Sequence, residues 1–242
     1  MTDARPEPSA AAPAYAVLAA RLRARILSGA LPPGARLPSE QELSTTFGVG
    51  RSTVREALRA LSSQDLIQTV RGVTGGSFVA VPSVGHVSAN LETGVTLLAA
   101  ADAVTVAQLM TARHVLEVPV AGAAARLRTA KHLERLRAAQ FDPAGAEGPE
   151  TYAANQAFHL VLLSAADNPL LEVVTAPLFR VLSHRFGRDR APDGFWIQVA
   201  ADHAELLSTV ERGDGPGAED AMRRHLDHLT AAYVQMDRLR TV

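Results

Sequence analysis

The chain has 242 residues, of which 47% are hydrophobic and 20% charged, a balance typical of a folded protein with room for two domains. The sequence has no cysteine, which excludes disulfides, thiolate zinc ligands and cysteine nucleophiles. It also has no uncharged apolar run of the roughly 20 residues that a membrane span needs. Residues 14–82 hold eight arginines against four acidic residues, whereas residues 83–242 hold 15 basic residues against 19 acidic ones. A basic N-terminal third favours a nucleic-acid partner.

The first 13 residues are rich in alanine and proline, and we predict that residues 1–13 form a disordered tail. This segment carries Asp3 and Glu7 and lacks the apolar core of a signal peptide, so we expect a cytoplasmic protein. Helical periodicity begins near Tyr15, and the glycines and prolines of residues 29–34 end this first helix.

Two short helices joined by a glycine-containing turn come next. Ser39 and Glu42 have the spacing of a capping box, which predicts a helix over about 40–47. A tight break at 48–50 separates it from a second helix over about 51–64. This arrangement is a helix-turn-helix.

Two runs of β-forming residues follow, at 66–70 and 77–81, with a glycine-rich tip between them. This pattern predicts a β-hairpin. Because a helix-turn-helix followed by a hairpin is the order of a winged helix, we predict a winged helix-turn-helix DNA-binding domain over residues 14–82.

The rest of the chain shows only helical periodicity. We predict a linker at 83–87 and a helical domain over 88–239. The predicted helices cover about 88–100, 104–127, 130–140, 150–166, 169–186, 195–213 and 216–239. Seven helices with short connections indicate an antiparallel bundle. The expected fold class is therefore mainly α, with a small β-hairpin wing in the N-terminal domain.

The start of the second short helix carries residue types that read DNA. A recognition helix presents its N-terminal residues to the major groove, and here these are Arg51, Ser52, Thr53 and Arg55. Arginine can donate two hydrogen bonds to guanine, and hydroxyl groups suit phosphates or bases. The alternative is that these are solvated surface charges, but the glycine-rich hairpin with Arg71 favours DNA.

Three histidines of the helical domain have placements that could bind a metal. Asn155 and His159 are four residues apart and share a helix face, while His203 and His225 fall on two later helices. Three imidazoles and one oxygen could converge on a divalent ion inside a bundle. The alternative is that they are ordinary hydrogen-bonded histidines.

A single arginine, Arg113, lies among apolar neighbours in a long predicted helix. Two readings stay open: it points into a pocket and pairs with an anion, or it forms a structural ion pair with Glu117, which lies four residues further on.

Residues 31–81 resemble the DNA-binding domain of the GntR family. The matching residues are Leu31-Pro32-Pro33-Gly34, Arg36-Leu37-Pro38-Ser39-Glu40, Glu42-Leu43, Phe47-Gly48-Val49-Gly50-Arg51-Ser52-Thr53-Val54-Arg55-Glu56-Ala57-Leu58, Leu66-Ile67 and Gly75-Gly76-Ser77-Phe78-Val79. The resemblance implies a set of residues at the DNA: Arg36, Ser39, Gln41, Arg51, Ser52, Thr53, Arg55, Arg71 and Gly72. Two positions depart from the family pattern. Gly50 replaces the usual Ser or Thr cap, and Gln41 stands where some members use Arg to touch DNA.

Residues 88–239 resemble the all-helical FCD effector domain of the FadR-like branch of that family. The motifs are Arg113 through Glu117, Asn155-Gln156-Ala157-Phe158-His159, Asn168-Pro169-Leu170, His203 and His225. The resemblance implies that Asn155, His159, His203 and His225 bind a divalent metal, for which the ligand types favour Zn²⁺ or Ni²⁺. His228 is the rival ligand to His225. Arg113 is expected to bind a small carboxylate effector beside the ion.

The resemblance implies a homodimeric, nucleoid-associated transcription regulator that binds palindromic operator DNA, with a repressor released by its effector as the expected direction. One alternative is a DNA-binding dimer without metal or effector. A metal hydrolase is a second alternative, but no H-E-x-x-H motif supports it. We expect no enzymatic activity and no membrane association.

Overall fold

A computed structural model of the protein describes residues 12–72, 75–145, 149–185 and 192–240. The chain divides into two compact units, Met1–Pro82 and Ser83–Val242. Most of the tail predicted at residues 1–13 lies outside the described residues.

The N-terminal unit contains three helices and a hairpin in the predicted order. These are α1 (Ala14–Leu27), α2 (Glu40–Phe47), α3 (Arg51–Ser62), β1 (Ile67–Val70) and β2 (Gly76–Val79). The two strands are antiparallel, with Ile67 opposite Val79 and Val70 opposite Gly76. The winged helix-turn-helix is confirmed.

Local sequence signals explain where α2 begins and ends. The hydroxyl of Ser39 accepts a hydrogen bond from the backbone of Glu42, whose carboxylate accepts one from the backbone of Ser39, so the capping box is formed. Gly48 ends the helix with φ +64°, a left-handed conformation that glycine adopts without steric cost. Leu43 on α2 and Val54 and Leu61 on α3 then face the same core as Leu22 of α1.

The C-terminal unit is helical throughout its described residues. Its helices are α4 (Val84–Ala100), α5 (Val106–Leu127), α6 (Ala130–Ala138), α7 (Pro149–Ala165), α8 (Pro169–Arg185), α9 (Phe195–Arg212) and α10 (Gly215–Arg240), with a short 3₁₀ turn at Pro143–Gly145. All seven predicted helices are present. The largest difference in a boundary is that α4 begins at Val84, so most of the segment predicted as a linker is its first turn. The hydroxyl of Ser83 caps this helix by accepting a hydrogen bond from the backbone of His86.

Helix α5 is central to this unit. It packs against α7, α8, α9 and α10, and it contributes buried residues along its whole length. The helix keeps an exposed face, on which Val115 is 68% exposed, and a buried face that carries a charged pair. This placement brings Arg113 and Glu117 of α5 into the interior. No helix among the described residues is both long and apolar enough to cross a membrane.

Candidate DNA interface and candidate metal centre

Helix α3 has one buried and one exposed face. Val54, Ala57 and Leu61 are buried, whereas Arg51, Ser52 and Arg55 are exposed and Thr53 is half-buried. No side chain caps the helix at Gly50. The first turn therefore presents cationic side chains and backbone N–H groups together, an arrangement that attracts phosphate.

Arg51 and Arg55 are both hydrogen-bonded to side chains of α2. The Nη2 group of Arg51 donates to Oε1 of Gln41. The Nε group of Arg55 donates to Oε2 of Glu40 at 2.9 Å, which is also an ion pair. The family resemblance implies Gln41 at the DNA, and the sequence predicts no such role for Glu40.

Two other predicted DNA contacts have local roles in the structure. The Nη2 group of Arg36 donates to the backbone oxygen of Gly75 at 2.6 Å, and its guanidinium lies 6.0 Å from the ring centre of Phe78. Arg36 therefore links the wing to the segment that precedes α2. Ser39 caps α2 as described. Contacts of these two residues with DNA stay predictions.

The wing presents Arg71 beyond the end of β1, where its side chain is exposed. Gly72 follows with φ +120°, a backbone conformation that favours glycine. Residues 73 and 74, at the predicted tip, lie outside the described residues. Arg71 and Gly72 therefore lie where the sequence placed them, and their contact with DNA stays a prediction.

In the helical unit, three helices bring three histidines together. His159 on α7, His203 on α9 and His225 on α10 are buried, and each offers a ring nitrogen within 4.8 Å of the others. The rings contact one another directly, with centres 5.1 to 5.3 Å apart. Phe158 stacks on His203 at 4.1 Å and closes one side of the cluster.

Carboxylates outside the cluster fix two of these rings. The Nδ1 of His159 is 3.0 Å from a carboxylate oxygen of Glu117, and the Nδ1 of His225 is 3.1 Å from one of Asp202. A ring that donates from Nδ1 carries its lone pair on Nε2, and this is the arrangement that supports a metal-binding histidine. Both Nε2 atoms therefore remain as acceptors.

Burial keeps the imidazoles neutral. It lowers the pKa of His225 to about 4, although the hydrogen bond to Asp202 acts in the opposite direction. Burial and the neighbouring His225 hold the pKa of His203 well below its usual value. Burial also lowers the pKa of His159, against the effect of Glu117. Neutral imidazoles are the form that binds a metal.

Several buried polar atoms of the three histidines, of Asn155 one turn earlier on α7 and of Arg113 have no hydrogen-bond partner. They are Oδ1 of Asn155, Nε2 of His159, Nδ1 and Nε2 of His203, Nε2 of His225 and Nη1 of Arg113. Buried polar groups without a partner cost free energy, and these atoms are available to a ligand. Three imidazoles and an amide oxygen fit a divalent ion such as Zn²⁺.

His228 does not join this cluster. Its side chain is 45% exposed, and its Nδ1 donates to Asp202 rather than facing the other rings. Of the two rivals on α10, His225 is the one that the structure brings to the other histidines.

Arg113 and Glu117 form a fully buried ion pair on α5. The Nε of Arg113 donates to Oε1 of Glu117 at 2.5 Å, and its Nη2 donates to Oε2 at 3.1 Å. Burial disfavours the charge on Glu117, but Arg113 and His159 outweigh it and hold the pKa of Glu117 well below its usual range. The ion-pair reading of Arg113 is confirmed. Nη1 nevertheless stays free, so the anion-binding reading is compatible with it.

The sequence reasoning missed the two carboxylates that orient the histidines. Glu117 had been considered only as a partner of Arg113, and its contact with His159 depends on how α5 packs against α7. Asp202 precedes His203 in the chain but orients His225 on the next helix. No spacing in the sequence signals either contact, because each joins two helices.

A winged helix-turn-helix followed by a helical unit with an internal polar site defines a class of protein, the DNA-binding transcription regulators. Two family models match: "Bacterial regulatory proteins, gntR family" over residues 14–79 and "FCD domain" over residues 108–228. The chain belongs to the GntR family, in the FadR-like branch that carries an FCD domain. The proteins of this family that it matches are regulators rather than enzymes.

Two relatives match most of the chain. The HTH-type transcriptional regulator LutR of Bacillus subtilis is 32% identical over 214 residues, covering 84% of this chain and 94% of that protein. The "Putative L-lactate dehydrogenase operon regulatory protein" of Escherichia coli K12 is 30% identical over 226 residues, covering 91% and 86%. A solved structure, Streptococcus agalactiae GntR, matches with a TM-score of 0.61 at 23% identity, covering 90% and 99% of the chains, which supports the fold.

Proposed function

We propose that the protein is a dimeric repressor whose operator affinity changes when a small carboxylate binds beside a divalent metal ion in the helical unit. The observation that carries this proposal is the concentration of unpartnered buried polar atoms on Asn155, His159, His203, His225 and Arg113. Burying these polar groups together without partners would cost free energy. A metal ion and an anion satisfy them together.

Each residue has a role in this proposal. Asn155, His159, His203 and His225 hold the ion, which supplies coordination positions that a carboxylate oxygen can fill. Glu117 and Asp202 keep His159 and His225 in the tautomer that leaves Nε2 free. Arg113 donates from Nη1 to the same carboxylate while Glu117 keeps its charge compensated.

The DNA side of the proposal uses α3 and the wing. Arg51 and Arg55 contact bases, Ser52 and Thr53 contact bases or phosphates, and the wing residues Arg71 and Gly72 approach the duplex. Two copies of the chain on a palindromic operator place their recognition helices about 34 Å apart. An effector that favours one arrangement of the dimer therefore changes operator affinity. The protein acts in this way on cytoplasmic DNA.

The name of the Escherichia coli relative suggests L-lactate as the first effector to test, because that protein is named for an L-lactate dehydrogenase operon. L-lactate has the carboxylate and the hydroxyl that an ion and an arginine could bind.

Elemental analysis and an operator-binding titration test the proposal together. Purified full-length protein is expected to hold about one zinc or nickel ion per chain, and L-lactate or another small carboxylate is expected to lower its affinity for a duplex selected from random DNA. His203→Ala should remove the metal and the response, whereas His228→Ala should keep both. No bound metal, or a response that persists in His203→Ala, would contradict the proposal.

A second variant separates the anion contact from the metal. Arg113→Lys keeps a positive charge beside Glu117 but loses the free guanidinium nitrogen. We expect this variant to keep its metal and lose most of the effector response. An unchanged response would remove Arg113 from the effector site.

A further inference from the structure

We propose that Gln41 and Glu40, two neighbouring side chains of α2, are positioning residues that set the orientation in which Arg51 and Arg55 meet the DNA. This assignment rests on the proposed role of the two arginines in reading base pairs. It gives Gln41 a different role from the direct DNA contact that the family resemblance implies, and it adds Glu40, for which the sequence predicts no role at the DNA.

The contacts are matched one to one. Arg51 donates from Nη2 to Gln41, and Arg55 donates from Nε to Glu40 at 2.9 Å. Gln41 and Glu40 lie in the first turn of α2, and the arginines lie in the first two turns of α3. Arg51 and Arg55, the two arginines in the first two turns of the recognition helix, therefore each have an acceptor on the preceding helix.

The atom that each contact uses decides which donors remain for DNA. A guanidinium presents its N–H groups in a rigid planar fork, so holding one edge directs another edge outward. With Nε of Arg55 directed to Glu40, the edge formed by Nη1 and Nη2 is left for a base. Fixing a long side chain before the complex forms also reduces the ordering cost of binding.

These contacts add little to folding. The side chains of Arg55 and Glu40 are 60% and 41% exposed, and exposed ion pairs of this kind contribute almost nothing to stability. A variant at either α2 position should therefore fold normally, and its effect on DNA binding can be measured separately from stability.

The two acceptors differ in charge, which makes their effects distinguishable. Gln41 is neutral and leaves the charge of Arg51 available to phosphate. Glu40 places a negative charge on the DNA-facing side, which weakens attraction to any duplex. Glu40 thus reduces non-specific affinity while it orients Arg55, and removing it should change these two properties in opposite directions.

The experiment uses the full-length protein and a duplex selected by that protein from random-sequence DNA. Affinities are measured for this duplex, for its single-base-pair variants and for a scrambled duplex at several salt concentrations. Arg51→Ala and Arg55→Ala first identify the base pair that each arginine reads, each losing roughly 5- to 150-fold discrimination there. Thermal melting checks that all variants fold.

Glu40→Ala should lose roughly 2- to 10-fold discrimination at the base pair read by Arg55, the size of one lost hydrogen bond. Glu56→Ala is the matched control, because Glu56 is an exposed residue of α3 whose removal changes the net charge equally. Both variants should bind the scrambled duplex more tightly and with a steeper salt dependence, but only Glu40→Ala should lose discrimination. Glu40→Gln, which keeps an acceptor without the charge, should retain discrimination.

Gln41→Ala should lose a similar fraction of discrimination at the base pair read by Arg51, and the double variant with Arg51→Ala should be no worse than Arg51→Ala alone. A further loss in the double variant would mean that Gln41 touches DNA itself and would overturn its positioning role. Glu40→Ala that behaves like Glu56→Ala would overturn the role of Glu40. If Arg51→Ala and Arg55→Ala leave discrimination intact, the failure lies in the proposed reading role, and the positioning role falls with it.

Discussion

The polar groups on the exposed face of α3 and those of the histidine cluster differ in burial and in whether they have protein partners. Arg51 and Arg55 are exposed, and each has a protein partner that water could have replaced. His203 and its neighbours are buried, and both ring nitrogens of His203 and Nε2 of His159 and of His225 have no protein partner. The proposed role of the surface groups therefore depends on their orientation, whereas the proposed role of the buried groups depends on their unpartnered atoms.

The largest expected effect comes from reversing the charge of the exposed region. Arg51→Glu combined with Arg55→Glu should lower operator affinity by at least about 1000-fold, since two base contacts are lost and two repulsive charges face the phosphates. A gel-shift or anisotropy titration measures the loss. The metal content and helical circular dichroism should stay unchanged, because the cluster lies in the other unit. Undiminished operator binding would contradict the DNA-reading role of α3.

In the buried region, removing a charge is expected to lower the free energy of unfolding. Glu117→Gln leaves Arg113 buried at 0% exposure without a counter-charge, and breaking such a pair costs about 3–5 kcal/mol of unfolding free energy. Urea denaturation measures the loss. The control is Glu205→Gln, which removes an exposed partner of Arg224 and should cost no more than about 1 kcal/mol. Equal costs for the two variants would show that the pair on α5 is not buried as described.

Histidine titration affects only the helical unit, because residues 1–82 contain no histidine. Folded His225 has a pKa of about 4 against an ordinary value of 6.5. Between these values the unfolded chain binds a proton that the folded chain does not, so stability falls as pH drops from about 6.5 to about 4. Above pH 6.5 this contribution is constant.

Urea denaturation of the metal-free protein at pH 7.5, 6.5, 5.5 and 4.5 tests this dependence. His225→Gln should reduce the slope by about 1.4 kcal/mol per pH unit, the value for one proton. A bound metal should protect the folded state until protons displace it. A flat profile between pH 6.5 and 4.5 would show that the histidines are not buried in neutral form.

The smallest expected effect concerns the start of α3. Gly50 has φ −67° and ψ 155°, which any residue can adopt, and no side chain caps the helix. Gly50→Ser should raise the unfolding free energy by a few tenths of a kcal/mol and strengthen operator binding slightly through one added hydroxyl. Differential scanning calorimetry and the operator titration measure the two changes. Weaker operator binding by this variant would show that the duplex approaches Gly50 too closely for a side chain.

Much of the fold could be predicted because its signals are local. The Ser39–Glu42 capping box and the glycine break after it predicted α2 and the start of α3, and the structure has α2 at the predicted bounds. The pattern near residue 83 predicts a linker, whereas in the structure Ser83 caps a helix that begins at Val84. The same proline and polar residues can end a linker or form the cap of a helix, so the sequence alone does not distinguish the two.

The sequence by itself determined which residues have the chemistry to act: arginines at the start of a recognition helix and histidines at helical spacings. Only the tertiary structure decided how these groups are held. Glu117 reaches His159, Asp202 reaches His225, and Gln41 reaches Arg51 across the gap between two helices. Capping and periodicity follow from neighbours in the chain, whereas a contact between helices depends on the angle and depth at which they pack, and no local pattern encodes these.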